Sequence, residues 1–297
     1  MFRLRHIFTL LLLFMVAQLM GQTPQETTIN ASHRRYVTPT GAYSNRGTTW
    51  ADAKNNIQDA INDLVASHLL PGEVWVKEGT YRPTESTESG GSSLYASFKI
   101  PAGITVRGGF AGNEVTLNDR MVKYIDKDGK TVGTAKIGDT FDKDYTEKRF
   151  LHPTILTGDL SSRQANFTWN DQSHRYATQF YGNAYHVVWF ATNGFDSKGR
   201  ANALQLNDDS WTATLEGMII KRGYAYNSSL EGHPHNAYGG GAYMVKGSMM
   251  RDVWIECCEA SRNGGAVYMD GGGVCDHVYV TTSQAQGIGT SYGYGGG

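Results

Sequence analysis

NGGAVYMDGGGVCDHVYV, residues 263 to 280, decides how the chain is read. Glycines bracket a short apolar run, and a second run alternates aliphatic and polar residues. A phosphate-cradling loop needs GxxxxGK[ST], or a strand–glycine–helix unit with an acid downstream, and neither pattern is present. The stretch instead recurs. EGMIIKRGYA (216–225) aligns with DHVYVTTSQA (276–285), and DVWIECCEA (252–260) fits the same template one residue shorter. Gly240-Gly241-Ala242 returns 24 residues later as Gly264-Gly265-Ala266, and Asp252 and Asp276 share that spacing. Between the first two copies lies an extra polar segment, NSSLEGHPHNAY (227–238).

A period of about 24 residues with short apolar runs predicts a solenoid, because one repeat cannot bury its apolar face without a neighbour. Alternation sends Met218 and Ile220, or Val278 and Val280, inward and their neighbours outward. Glycines fall where the chain turns with positive φ or passes close to the next layer.

Upstream of the repeats, Thr49 and Asp52 resemble a capping box. Ile57, Ile61, Leu64, Val65 and Leu69 share a helical face that ends at Pro71-Gly72. An amphipathic helix over 50–69 is therefore expected, placed to cover one end of the stack within an N-terminal cap of 36–72. Short strands are expected at 74–76, 98–100, 104–106, 154–156, 185–190 and 215–220. The polar segment 118–153, with a DKDG hairpin turn at 126–129, reads as a long insertion. The intervals 161–182 and 191–211 read as loops or exposed hairpins.

The N-terminus carries Arg3, Arg5 and His6 ahead of an apolar run from Ile7 to Met20. That run matches a secretory signal peptide (1–21), the other reading being an uncleaved anchor. A polar leader (22–35) follows, and localisation is expected to be secreted or at the outer cell surface. Tyr292-Gly293-Tyr294-Gly295-Gly296-Gly297 looks like the start of another repeat, so the chain is expected to be a fragment of a longer protein. The membrane would be met only through the signal segment or a further C-terminal anchor.

Net charge is −1, so no global basic field exists to hold nucleic acid or an anionic membrane surface. Charged residues make up 19%, while Gly numbers 36 and Tyr 17, a balance suited to extended β architecture. Three cysteines, Cys257, Cys258 and Cys275, cannot form a disulfide framework. One bridge with a spare thiol and three buried thiols both remain open.

WADAKNNIQDAI, EVWVKEGTYRPT, ITVRGGFAGNE, TILTGDL, NAYHVV and LEGMIIKRGYA, in that order, resemble the exported right-handed parallel β-helix proteins of Bacteroidota, within the pectin-lyase-like superfamily. The resemblance covers residues 36–297. GGAVY is similar to part of the repeat of polymorphic outer-membrane adhesins, whose FxxN element has no counterpart here. The resemblance implies an all-β, right-handed parallel β-helix that can host polysaccharide enzymes or non-catalytic surface proteins. Fold alone does not choose between them.

Glu216, Asp252 and Asp276 fall at one repeat position and would stack as a column of carboxylates about 4.8 Å apart. That spacing suits paired-carboxylate hydrolysis or a calcium-assisted lyase, and equally suits turn-capping acids. His277 adds an acid–imidazole pair with Asp276. His233 and His235 form an HxH that could share a metal, or be solvated. Asp142, Asp144 and Glu147 offer oxygens for Ca2+ without the full ligand set of an EF-hand. Trp211, Tyr224, Tyr226, Tyr238, Tyr243 and Trp254 cluster in the repeats, either as sugar-stacking faces or as core rings. The expected function is glycan binding or adhesion, on an extracellular polysaccharide or a host or cell-surface glycan. The alternative is a polysaccharide lyase or glycoside hydrolase.

Overall fold

Parallel pairing between successive layers organises the chain, at an offset of 25 residues in the last two. In the computed structural model the described residues are 29–86, 93–161, 182–190, 213–226 and 234–286. Their strands belong to one compact unit, Ala31–Gly297. The fold is all-β, dominated by strands that build a curled parallel sheet.

The largest sheet runs β1 (Arg34–Val37), β2 (Gly72–Lys77), β5 (Ile104–Phe110), β11 (Ala213–Glu216), β15 (Ser248–Glu256) and β18 (Val274–Thr281), all parallel. β3 (Gly79–Tyr81), β9 (Thr154–Thr157) and β12 (Ile219–Lys221) form a second strip that joins the later half of β15. β15 spans both strips because it bends at Asp252, whose φ is 48°. A second parallel sheet orders β4 (Phe98–Ile100), β10 (Val188–Phe190), β14 (Ala242–Val245) and β17 (Val267–Asp270). A third stacks β13 (Tyr224–Ala225), β16 (Glu259–Ala260) and β19 (Gln284–Ala285).

The inward columns match the alternation. Ile220, Ile255 and Val280 are in register, as are Val253 and Val278. Met218, Ile220, Val253 and Ile255 are fully buried in one core with Val187, Val188, Phe98, Leu156 and Leu215. Each such side chain contributes about 1.5–3 kcal/mol.

The register corrects the 24-residue offset to 25, since Arg251 pairs with Asp276 and Ala242 with Val267. Gly241 N–H accordingly donates to the Gly265 carbonyl. Gly240 and Gly265 are needed for close approach: a Cβ on Gly265 would lie 2.0 Å from the Gln284 carbonyl oxygen. The left-handed corners of β12, β15 and β18 are mostly not glycine. Gly217, Asp252 and His277 form one corner column, and Arg222, Cys257 and Thr282 another. Asp and His tolerate that conformation better than most residues, whereas Thr does so at a cost.

The helix is shorter than expected. α1 spans Ile57–Ala66, capped by the Asn56 side chain, which accepts from the Gln58 and Asp59 amides. Thr49 and Asp52 instead close a turn of their own, the Asp52 amide reaching Thr49 Oγ1 at 3.1 Å. Asn56 wins because it meets two of the orphan amides of the first turn that actually carries the apolar stripe. Ile57, Ala60, Ile61 and Leu64 are buried, while Val65 is exposed. α1 packs against β1, β2 and β4.

Residues 121–150 leave the stack as a separate antiparallel sheet of β6 (Met121–Ile125), β7 (Thr131–Lys136) and β8 (Glu147–Phe150). Its DKDG turn is held by Asp126, which accepts from the Asp128 and Lys130 amides. Phe141 stacks on Tyr124 at 3.9 Å to close its small core. The expected loops at 161–182 and 191–211 lie almost wholly outside the described residues, as does the segment 1–21. Among the described residues no helix is long and apolar enough to cross a membrane.

Candidate functional site

The second strip presents two outward columns side by side. Thr80, Ile155, Ile219, Trp254 and Tyr279 stack in register down β3, β9, β12, β15 and β18. Two residues further along lie Thr157, Lys221, Glu256 and Thr281. Parallel registration places each ring directly over the next, and Trp254 and Tyr279 stack at 5.2 Å with planes 7° apart. One column is apolar and aromatic, the other polar and charged.

The inserted sheet walls this strip. Lys123, Arg149 and Phe150 face Thr154, Ile155, Ile219, Lys221 and Trp254 across a cavity of about 250 Å³. Glu147 anchors the wall, accepting from Trp254 Nε1 at 2.9 Å and Arg149 Nε at 2.6 Å. Glu256 links both sides, 3.0 Å from Lys221 and 3.9 Å from Arg149. A second cavity of about 190 Å³ adjoins it through the shared Ile155 and Lys221, lined also by Thr80, Arg82, Thr157, Asp159 and Arg222. Together they make a groove with an apolar floor and hydrogen-bonding rims.

The carboxylate column is corrected in one place. Glu216 and Asp276 do share a register position, but Arg251 stands between them. Asp252 is displaced to the adjoining corner because β15 enters its bend there. The ladder therefore alternates in charge. Glu216 is buried and paired with Arg107 and with Arg120, the latter at 2.6 Å. Burial alone would raise its carboxyl pKa, but Arg107 and then Arg120 outweigh that and hold it below the usual carboxylate range. Arg107 also meets Glu73 at 3.1 Å, and Glu73 meets Arg34 at 3.2 Å. This network ties β1, β2, β5 and β11 to the base of the inserted sheet.

Asp276 accepts from Arg251 at 3.0 Å and lies 2.9 Å from His277, whose side chain is largely exposed. Asp252 has its carboxyl pushed upward, first by burial and then by Glu216 and Asp276, against the opposing pull of Lys148 and His277.

The aromatic candidates divide. Tyr243 is buried, stacked on Trp189 at 4.6 Å and donating to Asp270 at 2.8 Å. Tyr224 is buried against Tyr226 at 5.4 Å, and Tyr238 tilts over Tyr268. Among the described members of this group Trp254 alone lines the groove, and it too is buried, packed with Val122, Tyr124 and Phe150 under the inserted sheet. Trp211, His233 and the side chain of His235 lie outside what is described. Among the described residues no group of three His, Cys, Asp or Glu side chains could hold a metal ion. Asp142 and Asp144 are exposed, and Glu147 serves Arg149 and Trp254. All three cysteines are free thiols, Cys258 buried and Cys275 exposed.

Sequence reading passed over Ile219, Lys221 and Tyr279, although aligning 216–225 with 276–285 already sets Ile219 beside Tyr279. Alternation marks the inward residues of these strands, whereas the groove is carried by their outward partners. No protein-family model, curated protein or solved structure matches this chain.

Proposed function

We propose that this chain is a right-handed parallel β-helix of the pectin-lyase-like kind, exported to the cell surface, where it binds an extracellular glycan. Parallel strands joined by crossovers take the right hand in nearly all sheets, which supports the handedness. The observation that carries the binding reading is the groove floor of Ile155, Ile219 and Trp254, walled by Lys221 and Arg149 and continued in register by the exposed Tyr279 stacked on Trp254. Its long axis follows the stacking direction, so successive sugar rings would meet successive layers.

The test is a glycan array with the full-length secreted protein, beside Tyr279→Ala, which removes a half-exposed ring at the groove end. Binding of a defined glycan set, weakened in the variant, is the expected result. Binding to no glycan overturns the reading. A parallel polyuronate degradation assay addresses catalysis, and rapid release of unsaturated oligosaccharides would replace binding by lyase activity.

A further inference from the structure

The smaller cavity has a chemistry of its own. Arg82, Lys221 and Arg222 converge on about 190 Å³ together with the hydroxyl-bearing Thr80 and Thr157, against one carboxylate, Asp159. That carboxylate is half engaged: Oδ1 accepts from the Ser161 amide and hydroxyl, while Oδ2 is buried without a hydrogen bond and lies 3.5 Å from Arg222. Arg82 is fixed by its Nε on the Asp159 carbonyl at 2.7 Å, which positions its guanidinium at the cavity wall. Lys221 is paired with Glu256 at 3.0 Å. Arg222 occupies a left-handed corner, φ 63°, so its side chain leaves the backbone from a fixed direction. Set against Asp159 and Glu256, the three cations leave this small cavity with one positive charge in excess, in a chain of net charge −1.

We infer that this cavity is a subsite for a tetrahedral oxyanion, a sulfate or phosphate ester group, held by Arg82, Lys221 and Arg222 with Thr80 and Thr157. Guanidinium and ammonium donors form the strong charge-assisted bonds that such oxygens accept. Cations and hydroxyls contributed from three strands surround the space, which suits three terminal oxygens better than the two of a planar carboxylate. The inference rests on the glycan reading only for what carries the group, since the adjoining groove would hold the sugar backbone.

The experiment has two arms, both on the whole chain. First, inorganic sulfate and inorganic phosphate are titrated against wild type, Arg82→Gln, Lys221→Gln and the remote control Lys127→Gln. Potassium chloride at matched ionic strength is the reference, with thermal unfolding run to verify folding. Each groove variant should weaken oxyanion binding about tenfold, the scale of one charge-assisted bond, with the control unchanged. Second, a sulfated or phosphorylated oligosaccharide is compared with its unsubstituted counterpart, expecting tighter binding of the charged form in wild type only. Oxyanions binding no better than chloride, with charged and uncharged oligosaccharides equal, overturns the subsite and leaves glycan binding standing. Oxyanion binding that depends on Arg82, with no oligosaccharide bound, supports the subsite and removes the glycan reading.

Discussion

Arg107 and Glu216 face each other across β5 and β11 as a buried ion pair, completed on the far side by Arg120 from the base of the inserted sheet. Removing the carboxylate leaves two buried guanidinium groups short of a partner. Glu216→Gln should therefore cost about 3–5 kcal/mol of unfolding free energy, measured by chemical denaturation. Because the folded carboxyl pKa lies below its unfolded value, the pair's contribution is complete above the ordinary carboxylate range. It fades as pH falls through the folded value. The wild-type advantage over Glu216→Gln should thus hold at pH 7 and shrink in acid. A gap that stays constant into strong acid would contradict the ion-pair account.

Asp252 has the opposite sign. Its carboxyl pKa is raised, so the folded state holds a proton that the unfolded state has already released, and stability declines as pH rises through this interval. Asp252→Asn should raise the melting temperature at neutral pH and make no difference below the ordinary carboxylate range. Screening at this half-exposed corner keeps the gain under about 1 kcal/mol. Asn also accepts the left-handed conformation found there, φ 48°.

Gly223 is required by space. A Cβ there would sit 1.6 Å from the Gly240 carbonyl oxygen, which belongs to backbone and cannot swing aside. Gly223→Ala should cost about 3 kcal/mol or more in denaturant titrations. Gly271 is the control: its φ is 75°, with nothing within 4 Å of the added atom. Gly271→Ala should cost only the conformational penalty of about 1–2 kcal/mol. Equal losses at the two sites would show that packing between layers is looser than drawn here.

Thiol titration separates the cysteines. Burial pushes the Cys258 thiol up to about 12, so it should resist an aromatic disulfide reagent at pH 8 in the folded protein. Cys257 and Cys275 should react, Cys275 more slowly than a free thiol because partial burial raises its pKa as well. Two thiols are expected before denaturant and three after it.

The layered arrangement was legible because Met218, Ile220, Val278 and Val280 alternate with polar neighbours, and alternation maps directly onto inward and outward faces. The register was misread by one residue for an equally physical reason. Matching Asp252 to Asp276 by identity ignores that opposite charges make the better neighbours on adjacent strands, and Arg251 occupies the place. Nothing local in the sequence links Glu216 to Arg107 and Arg120, about a hundred residues away, so the buried network emerged only with the fold. The groove was half visible: its floor follows from the repeat alignment, but Lys123 and Arg149 arrive on an insertion whose docking the repeats do not encode. Thr49 and Asp52 carried a helix-start signature that Asn56 overrode, because the apolar stripe begins only at Ile57.

The two ends of the stack are chemically unequal. Along β1 the amide and carbonyl of Tyr36 are already matched to Gly47 and Lys54, and the Thr38 amide to Lys54. β18, by contrast, pairs with β15 alone among the described strands, and Val274 and Tyr279 are exposed on it. At Tyr36 and Thr38 the outer edge of the first layer is therefore closed to a further strand by the chain's own backbone.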